Sequence, residues 1–204
     1  WARRWFRQAA SGYEAFWEEG RGTYLDHIVD GVAQRPASQL AGALAIVSGL
    51  APTHRRPRIV AWIGDPERQV VRSWIGGHGG YDIAKILDQV RGIQRIDWDA
   101  ERETVVAQPF AAFLVHDAYA RAGRPDLLLT SLRRWTRFLD DGYDTFGECW
   151  GWGTPAHGWS STPSRDLVQA ILGVTPAEPG FTRARIAPAY GLLDRLEGSA
   201  PTPA

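Results

Sequence analysis

Segments with helical periodicity follow one another along most of the chain, and Gly or Pro residues separate them. Residues 109–123 and 124–142 are the clearest pair, because each starts at or near a Pro, each ends at a Gly, and only two or three residues join them. Helices joined so closely pack antiparallel. The pattern therefore predicts a mainly α chain, in which helical hairpins supply the core and the loops at one end supply the site. No repeat of fixed period is visible, so the hairpins are predicted to form an irregular α/α array.

Four further helical segments and two non-helical segments complete the predicted elements. The segment 35–52 has Pro36 in its first turn, and the segment 64–77 has Asp65 as N-cap followed by Pro66. The other predicted elements are helices over 81–92 and about 165–172, strand or loop over 94–108, and β structure over 173–188.

Composition excludes several classes of partner. The chain has 23 Lys and Arg against 23 Asp and Glu and no block of basic residues, so it lacks the charge pattern of a protein that binds nucleic acid or an anionic membrane. No apolar run approaches the roughly 20 residues that a bilayer span needs. A single cysteine excludes an intrachain disulfide framework. We therefore expect an uncharged or small partner, with no nucleic acid and no membrane.

The two ends of the sequence indicate a piece of a longer protein. The chain opens at Trp1, contains no Met and closes at 199–204, just after a strand-like stretch at 181–190. An N-terminal half of the same protein is therefore an expected partner. No basic-then-apolar leader opens the chain, which favours a cytoplasmic location.

The segment 142–166, GYDTFGECWGWGTPAHGWSSTPSRD, concentrates reactive and aromatic side chains where Gly and Pro oppose regular structure. Burial of Glu148 beside an indole would raise its pKa and suit it to proton transfer near neutral pH. A solvated loop glutamate is the alternative, and a structural ion pair is another. Cys149 could be a nucleophile. However, no base adjoins it in sequence, and a lone cysteine is more often a small buried hydrophobic residue.

One histidine and three tryptophans of this segment are candidate ligand contacts. A neutral His157 could hydrogen-bond a hydroxyl group or orient a carboxylate, and the alternative is a hydrogen bond that pins the loop to the backbone. Trp150, Trp152 and Trp159 adjoin glycines, which leave the indole faces free to stack on a flat apolar ligand face. Core packing accounts for at least one of the three.

The other conspicuous polar residues indicate structure rather than chemistry. Asp26, His27 and Asp30 make at most half of a metal site, so hydrogen bonds that anchor the following helix are the favoured interpretation. His116 lies on an otherwise apolar helix and is expected to be a core histidine with its hydrogen bonds satisfied. The Gly-rich segment 75–82 lacks the Lys-Ser/Thr of a phosphate-binding loop. No metal and no cofactor is predicted.

Several motifs, read in order, resemble a known family. DGYDTFGECW at 141–150, HGWSSTP at 157–163 and ILGVTPAEPGF at 171–181 are similar to the C-terminal half of the catalytic domain of α-L-rhamnosidases, glycoside hydrolase family 78. FWEEGRGTYLDHIVDG at 16–31 is similar to the strip that precedes a core helix in that family. Two positions depart from the pattern: Gly147 stands where an aromatic residue is common, and HGWS stands where HAWS is common.

The resemblance implies the fold and the domain organisation. It implies part of an (α/α)6 toroid of the six-hairpin glycosidase type. Residues 1–173 would be the C-terminal portion of the catalytic domain, and residues 174–204 would begin a C-terminal β-sandwich.

The resemblance also implies a function. By position, Glu148 is the general base that activates water in an inverting hydrolysis of terminal α-L-rhamnosides, and His157 and Trp159 are subsite residues near the sugar. A carbohydrate is thus the expected ligand, with Trp150 and Trp152 as further contacts. The family's general acid belongs to a segment N-terminal to this chain, so the isolated chain is expected to be inactive or nearly so.

Two alternatives remain open from the sequence. Other inverting enzymes, including trehalases and glucan-debranching hydrolases, share the six-hairpin fold, and fold analogy does not choose between them. A non-catalytic carbohydrate-binding fragment is the other alternative, in which the tryptophans bind glycan and Glu148 hydrogen-bonds its hydroxyl groups.

Overall fold

The structure is a computed structural model that describes residues 1–72, 76–77, 80–91 and 97–200. It consists of helices joined by short two-stranded ladders. The fold is mainly α. Its α-helices within these ranges are α1 Ala2–Tyr13, α2 Gln39–Val47, α3 Arg56–Gly64, α4 Ile83–Val90, α5 Ala112–Arg121, α6 Pro125–Leu132, α7 Thr136–Asp140 and α8 Thr162–Asp166. None of these helices combines the length and the apolar character that a bilayer crossing requires.

The strands are two or three residues long and pair in twos. Their bounds are β1 Trp17–Glu18, β2 Thr23–Tyr24, β3 Ile28–Val29, β4 Val32–Ala33, β5 Gln69–Val70, β6 Gly76–Gly77, β7 Gly80–Tyr81, β8 Thr104–Val105, β9 Val174–Pro176 and β10 Ala184–Ile186. Strands β5 and β8 pair in parallel, with Gln69 opposite Thr104. The other described pairs join strands that follow one another along the chain and are antiparallel.

The core forms where α2 packs against α3 and α5. Gly42 permits a close approach of α2 and α3, because a Cβ atom there would lie 2.8 Å from Ile63 Cγ2 and 2.9 Å from Ile59 Cγ2. Buried polar groups then fix the end of α3. The Ile63 carbonyl accepts hydrogen bonds from Gln39 Nε2 at 2.7 Å and from the Tyr119 hydroxyl at 3.0 Å. Such carbonyls at a helix end lack partners within the helix and need donors from elsewhere.

The helical hairpin predicted over 109–123 and 124–142 is confirmed. Gly123 ends α5 with φ +69°, and Pro125 opens α6 in its first turn, so the two helices pack closely. The second arm is not one regular helix. A 3₁₀ turn at Arg133–Trp135 separates α6 from α7, and Gly142, with φ +84°, follows α7.

The helix predicted over 35–52 is present but shorter, at Gln39–Val47. Ser38 is its N-cap, because the Ser38 hydroxyl accepts a hydrogen bond from the Ala41 N–H at 3.2 Å. Pro36 therefore precedes the helix and does not lie in its first turn. Asp26 anchors this end as the sequence indicated, since its Oδ1 accepts hydrogen bonds from the Ser38 N–H at 2.7 Å and the Ser38 hydroxyl at 2.8 Å.

The helix predicted over 64–77 is wrong in its described part. The helix in this region is α3, which ends at Gly64, and Asp65 caps a turn through a 3.0 Å hydrogen bond from the Glu67 N–H. An Asp-Pro pair opens turns as readily as helices, and the β5 pairing with β8 decides between them here. Residues 73–75 of this prediction lie outside the described residues.

The remaining predicted elements agree with the structure where it describes them. Helix α4 lies within 81–92, β8 lies within 94–108, and the β9–β10 hairpin lies within 173–188. The last helix begins earlier than predicted, as α8, and continues as a π-helical turn at Leu167–Ile171. Residues 92–96, and residues 78–79 of the Gly-rich segment 75–82, lie outside the described residues.

Two helices were missed, α1 and α3. The spacing of Trp5, Ala9 and Tyr13 is helical and could have identified α1, which joins the core through Tyr13. Helix α3 has Pro57 in its first turn, and a proline at that position is a common sign of a helix start. The sequence analysis applied this sign to Pro66 and not to Pro57.

A buried polar cluster links the helices beneath the site. His116 on α5 is fully buried, its Nδ1 lies 2.6 Å from Asp166 Oδ2 on α8, and its Nε2 lies 3.0 Å from the Ser131 hydroxyl on α6. A serine, a histidine and an aspartate joined in this way by hydrogen bonds also form the triad of many hydrolases. However, His116 and Asp166 are closed to solvent, so the cluster is structural. The expectation that His116 is a core histidine with its hydrogen bonds satisfied is confirmed.

Removing the carboxylate of this cluster should destabilise the chain strongly. We expect Asp166→Ala to lower the free energy of unfolding by about 3–5 kcal/mol, because it leaves the buried His116 ring without its carboxylate partner and removes one of the two carboxylates that the Arg165 guanidinium contacts. The measurement is urea denaturation followed by circular dichroism.

Glu178→Ala is the matched control. Glu178 forms an exposed pair with Arg183 at 3.4 Å, and its loss should cost about 1 kcal/mol or less. Equal losses for Asp166→Ala and Glu178→Ala would contradict the structural role of the buried cluster.

Candidate active site

The loop between α7 and α8 is a folded-back segment rather than an open coil. The His157 N–H donates to the Phe146 carbonyl at 2.8 Å, and the Glu148 N–H donates to the Thr154 carbonyl at 2.9 Å. The Thr145 hydroxyl closes the same ladder with a 2.8 Å bond to the Pro155 carbonyl. These bonds bring Glu148 and His157 to the same end of the loop.

Trp150 anchors the tip of this loop in the core. Only 4% of Trp150 is exposed, and its indole N–H donates to the Ala107 carbonyl at 2.9 Å. Its ring stacks on Phe138 with centroids 5.4 Å apart and meets Trp135 edge-to-face at 5.0 Å. The Trp150 backbone N–H also donates to Gln108 Oε1 at 2.9 Å. This burial supports a packing role for Trp150, in place of the ligand contact expected from the sequence.

Gly147 is required by the packing next to Glu148. A Cβ atom at residue 147 would lie 2.7 Å from Cε1 of Phe138, and the stack on Trp150 prevents the Phe138 ring from moving aside. The absence of an aromatic residue at this position therefore has a physical cause, because Phe138 fills the space that such a side chain would need.

Glu148 is half-buried, and its carboxylate is hydrogen-bonded. Its Oε2 accepts from the Thr154 N–H and from the Thr154 hydroxyl, each at 3.1 Å. The Thr154 backbone hydrogen bond lowers the pKa of Glu148, with further lowering by the Thr154 hydroxyl and the nearby His157 ring, and these effects outweigh desolvation. The expectation that burial raises this pKa is wrong, because the indole closest in sequence, Trp150, points into the core.

His157 and Trp159 form the aromatic part of the site. Trp159 is 73% exposed, and its ring meets the His157 ring edge-to-face with centroids 5.9 Å apart. Phe110 contacts the other side of this pair, 6.0 Å from the His157 centroid. An exposed indole beside an imidazole offers an apolar face and a hydrogen-bonding group to the same ligand.

The last two candidates lie on the buried side of the loop. Cys149 is 2% exposed, and burial raises the pKa of its thiol to about 12, which opposes a nucleophilic role. Trp152 forms a β-bridge with Cys149 and is half-buried. The structure thus groups Glu148 and His157 around Thr154 and places Trp159 beside His157. It turns Cys149 and Trp150 inward.

Sequence analysis missed three contributors to the site: Thr154, Phe110 and Gln108. Thr154 lies in a Gly-Thr-Pro turn, and nothing in that pattern identifies a carboxylate partner. Phe110 and Gln108 approach the loop from the segment before α5, about 40 residues away in sequence. Only the tertiary fold joins Gln108 to Trp150 and Phe110 to His157.

The site can support proton transfer and stacking on an apolar ligand face. The pKa of Glu148 is lowered from a value that is already well below neutral pH, so its carboxylate is ionised there and can accept a proton. Among the described residues, no three His, Cys, Asp or Glu side chains are grouped so that they could hold a metal ion.

Comparison of folds identifies similar solved structures. One of them is a GH78 family rhamnosidase of Bacillus sp. GL1, with a TM-score of 0.60 and 23% sequence identity. In fold, this chain resembles part of a rhamnosidase. The match covers 88% of this chain and 17% of the rhamnosidase chain, so it spans a small part of that enzyme's length. No protein-family model matches the sequence, and no curated protein matches it.

A side chain at residue 147 should disturb the loop that carries Glu148. We expect Gly147→Ala to destabilise the chain by about 1–3 kcal/mol, the usual cost of overpacking a core. Thermal or urea unfolding measures this loss. The matched control is Gly158→Ala, because a Cβ atom there has no neighbour within 4 Å, and its effect should stay within about 0.5 kcal/mol.

A second substitution tests whether the Phe138 ring causes the loss of stability expected for Gly147→Ala. If the Phe138 ring is the obstacle, Gly147→Ala combined with Phe138→Leu should cost less than the sum of the two single changes. Strict additivity would mean that the contact with Phe138 is not what excludes a side chain at residue 147.

Proposed function

We propose that this chain is the C-terminal part of the catalytic domain of an inverting glycoside hydrolase that acts on terminal α-L-rhamnosides. The observation that carries the proposal is the position of Glu148. Its carboxylate lies on a loop that also presents His157 and the exposed Trp159, in a fold similar to part of a GH78 family rhamnosidase.

Glu148 has the role of general base in this proposal. It takes a proton from a water molecule while the water oxygen bonds to the anomeric carbon of the sugar. The glycosidic bond breaks on the opposite face, and the leaving oxygen takes a proton from a second carboxyl group. Inverting enzymes hold the two carboxyl groups roughly 6.5–9.5 Å apart. We assign the second group to a part of the enzyme outside this chain.

The lowered pKa of Glu148 is compatible with this role. A base must be ionised to accept a proton, and the Thr154 hydrogen bonds favour the ionised form of Glu148. The acid limb of kcat/KM that reports this base should therefore lie at or below the usual pKa range of a glutamate, about 4.3.

The aromatic residues support a deoxy sugar as the proposed substrate. Rhamnose carries a methyl group in place of a hydroxymethyl group, so part of its surface is apolar and can lie on an indole face. Trp159 offers such a face, and His157 beside it can hydrogen-bond a ring hydroxyl. Residues 1–173 belong to the catalytic domain in this proposal, and residues 174–204 begin the following β-sandwich.

Replacing the base should abolish turnover but not binding. In the longer protein that contains this chain, we expect Glu148→Gln to lower kcat on a p-nitrophenyl α-L-rhamnoside roughly 100- to 10,000-fold, because an amide cannot take a proton from water. Sugar binding, measured by calorimetry, should persist.

Glu197→Gln is the control for this experiment, since Glu197 is exposed and pairs with Arg195, and it should leave kcat unchanged. Unchanged turnover in Glu148→Gln would rule out the base assignment. Sugar binding without hydrolysis by the unmodified longer protein would favour a carbohydrate-binding role.

The isolated chain should not hydrolyse rhamnosides appreciably. It contributes the base but not the acid in this proposal, and protonation of the leaving oxygen is needed for the glycosidic bond to break. A panel of p-nitrophenyl α-L-rhamnoside, α-D-glucoside and β-L-arabinoside, tested on this chain and on the longer protein, measures this. Rhamnoside hydrolysis by the longer protein alone is expected, and hydrolysis by the chain alone would mean that it holds a second catalytic carboxyl group.

A further inference from the structure

Thr154 contacts both polar residues of the proposed site. Its backbone N–H and its hydroxyl each lie 3.1 Å from Glu148 Oε2, and the same hydroxyl lies 3.4 Å from His157 Nδ1. The Thr154 carbonyl also accepts the Glu148 N–H at 2.9 Å. Glu148 and His157 are therefore linked through one side chain, although nine positions separate them in sequence.

The contacts to the Glu148 carboxylate favour one of its two oxygens. Both Thr154 donors meet Oε2, whereas Oε1 accepts no hydrogen bond from the residues that the structure describes. Gly153 leaves room for this arrangement. Its φ is +87°, and a Cβ atom there would lie 3.0 Å from Oε2, so a side chain at residue 153 would press against the carboxylate.

The same contacts favour one tautomer of the His157 ring. An ionised carboxylate can only accept, so the single hydrogen of the Thr154 hydroxyl points to Glu148 Oε2. The hydroxyl oxygen can then face His157 Nδ1 only as an acceptor. In the neutral ring Nδ1 therefore carries the hydrogen, and Nε2 is left as an acceptor.

We propose that Thr154 is a positioning residue for both Glu148 and His157. By holding Oε2 it leaves Oε1 of Glu148 as the atom that takes the proton from water, and by accepting from Nδ1 it leaves Nε2 of His157 to accept a substrate hydroxyl. The role of Oε1 as proton acceptor rests on the proposed function, whereas the tautomer of His157 does not.

In the proposed hydrolysis, the positioning of Glu148 by Thr154 determines which atom takes each proton. One O–H bond of water breaks, its proton moves to Glu148 Oε1, and the electron pair forms the bond between the water oxygen and the anomeric carbon. The glycosidic C–O bond breaks with its electrons on the leaving oxygen, which a second carboxyl group protonates. The other titratable group that interacts with Glu148 is Cys149 on the same loop, among the residues that the structure describes.

The test compares Thr154→Val, which removes the hydroxyl and keeps the shape, with Thr154→Ser, which keeps the hydroxyl. In the 204-residue chain, ¹⁵N NMR reports the His157 tautomer, with His157→Gln assigning the signals, and ¹³C NMR reports the carboxyl titration of Glu148. We expect the Nδ1–H form and a low Glu148 pKa in the unmodified chain and in Thr154→Ser. In Thr154→Val the ring should shift toward the Nε2–H form, and the Glu148 pKa should rise.

Kinetics of the longer protein provide the second measurement. Thr154→Val should move the acid limb of kcat/KM to higher pH and lower kcat/KM roughly 10- to 150-fold, as loss of one hydrogen bond to a charged group does. Thr154→Ser should restore both.

If Thr154→Val leaves the His157 tautomer and the Glu148 pKa unchanged, the proposal is overturned. It is also overturned if Thr154→Ser, which retains the hydroxyl, shifts the tautomer and raises the pKa as Thr154→Val is expected to do. If the NMR changes occur as expected but the unmodified longer protein hydrolyses no rhamnoside, the positioning role of Thr154 stands and the proposed function fails.

Discussion

The packing of Trp150 in the helical core is the interaction on which the site depends. Its indole packs between Phe138 and Trp135, and its two N–H groups donate to Ala107 and Gln108. A buried indole with its N–H satisfied contributes a large apolar area and a fixed orientation. The loop from α7 to α8 is therefore pinned at its tip, two positions after Glu148.

Pinning one side chain constrains its neighbours in turn. The stack of Phe138 on Trp150 leaves no space for a side chain at residue 147, so the residue before the candidate base is glycine. The Trp135 indole N–H donates to the Ser160 carbonyl at 2.9 Å, which holds the turn that carries Trp159 on the same core. The fully buried pair of His116 and Asp166 joins α5 to α8 beneath this turn. The candidate site is thus supported by closely packed aromatic and polar groups.

Sequence reasoning succeeded where the signal was local. The Pro and Gly residues around α5 and α6 specify their ends through backbone geometry, and the capping groups at Asp26 and Ser38 belong to one short stretch. It failed at 64–77 because Asp65 and Pro66 suit a turn as well as a helix, and the choice depends on pairing with Thr104, a residue about 40 positions away. The Glu148 pKa was predicted in the wrong direction for a similar reason, since Trp150 lies inside the core and Thr154 supplies hydrogen bonds instead.

By itself, the sequence determined that the chain is mainly α, that it forms a close helical hairpin, and that its reactive side chains cluster in one Gly-rich loop. These properties follow from helical periodicity and from the backbone preferences of Gly and Pro, which act over a few residues. Only the tertiary structure decided which tryptophan is buried, which oxygen of Glu148 is held and which residue links Glu148 to His157. Such choices depend on packing and hydrogen bonds between segments far apart in sequence or folded back on each other, and no local pattern of residues specifies those contacts.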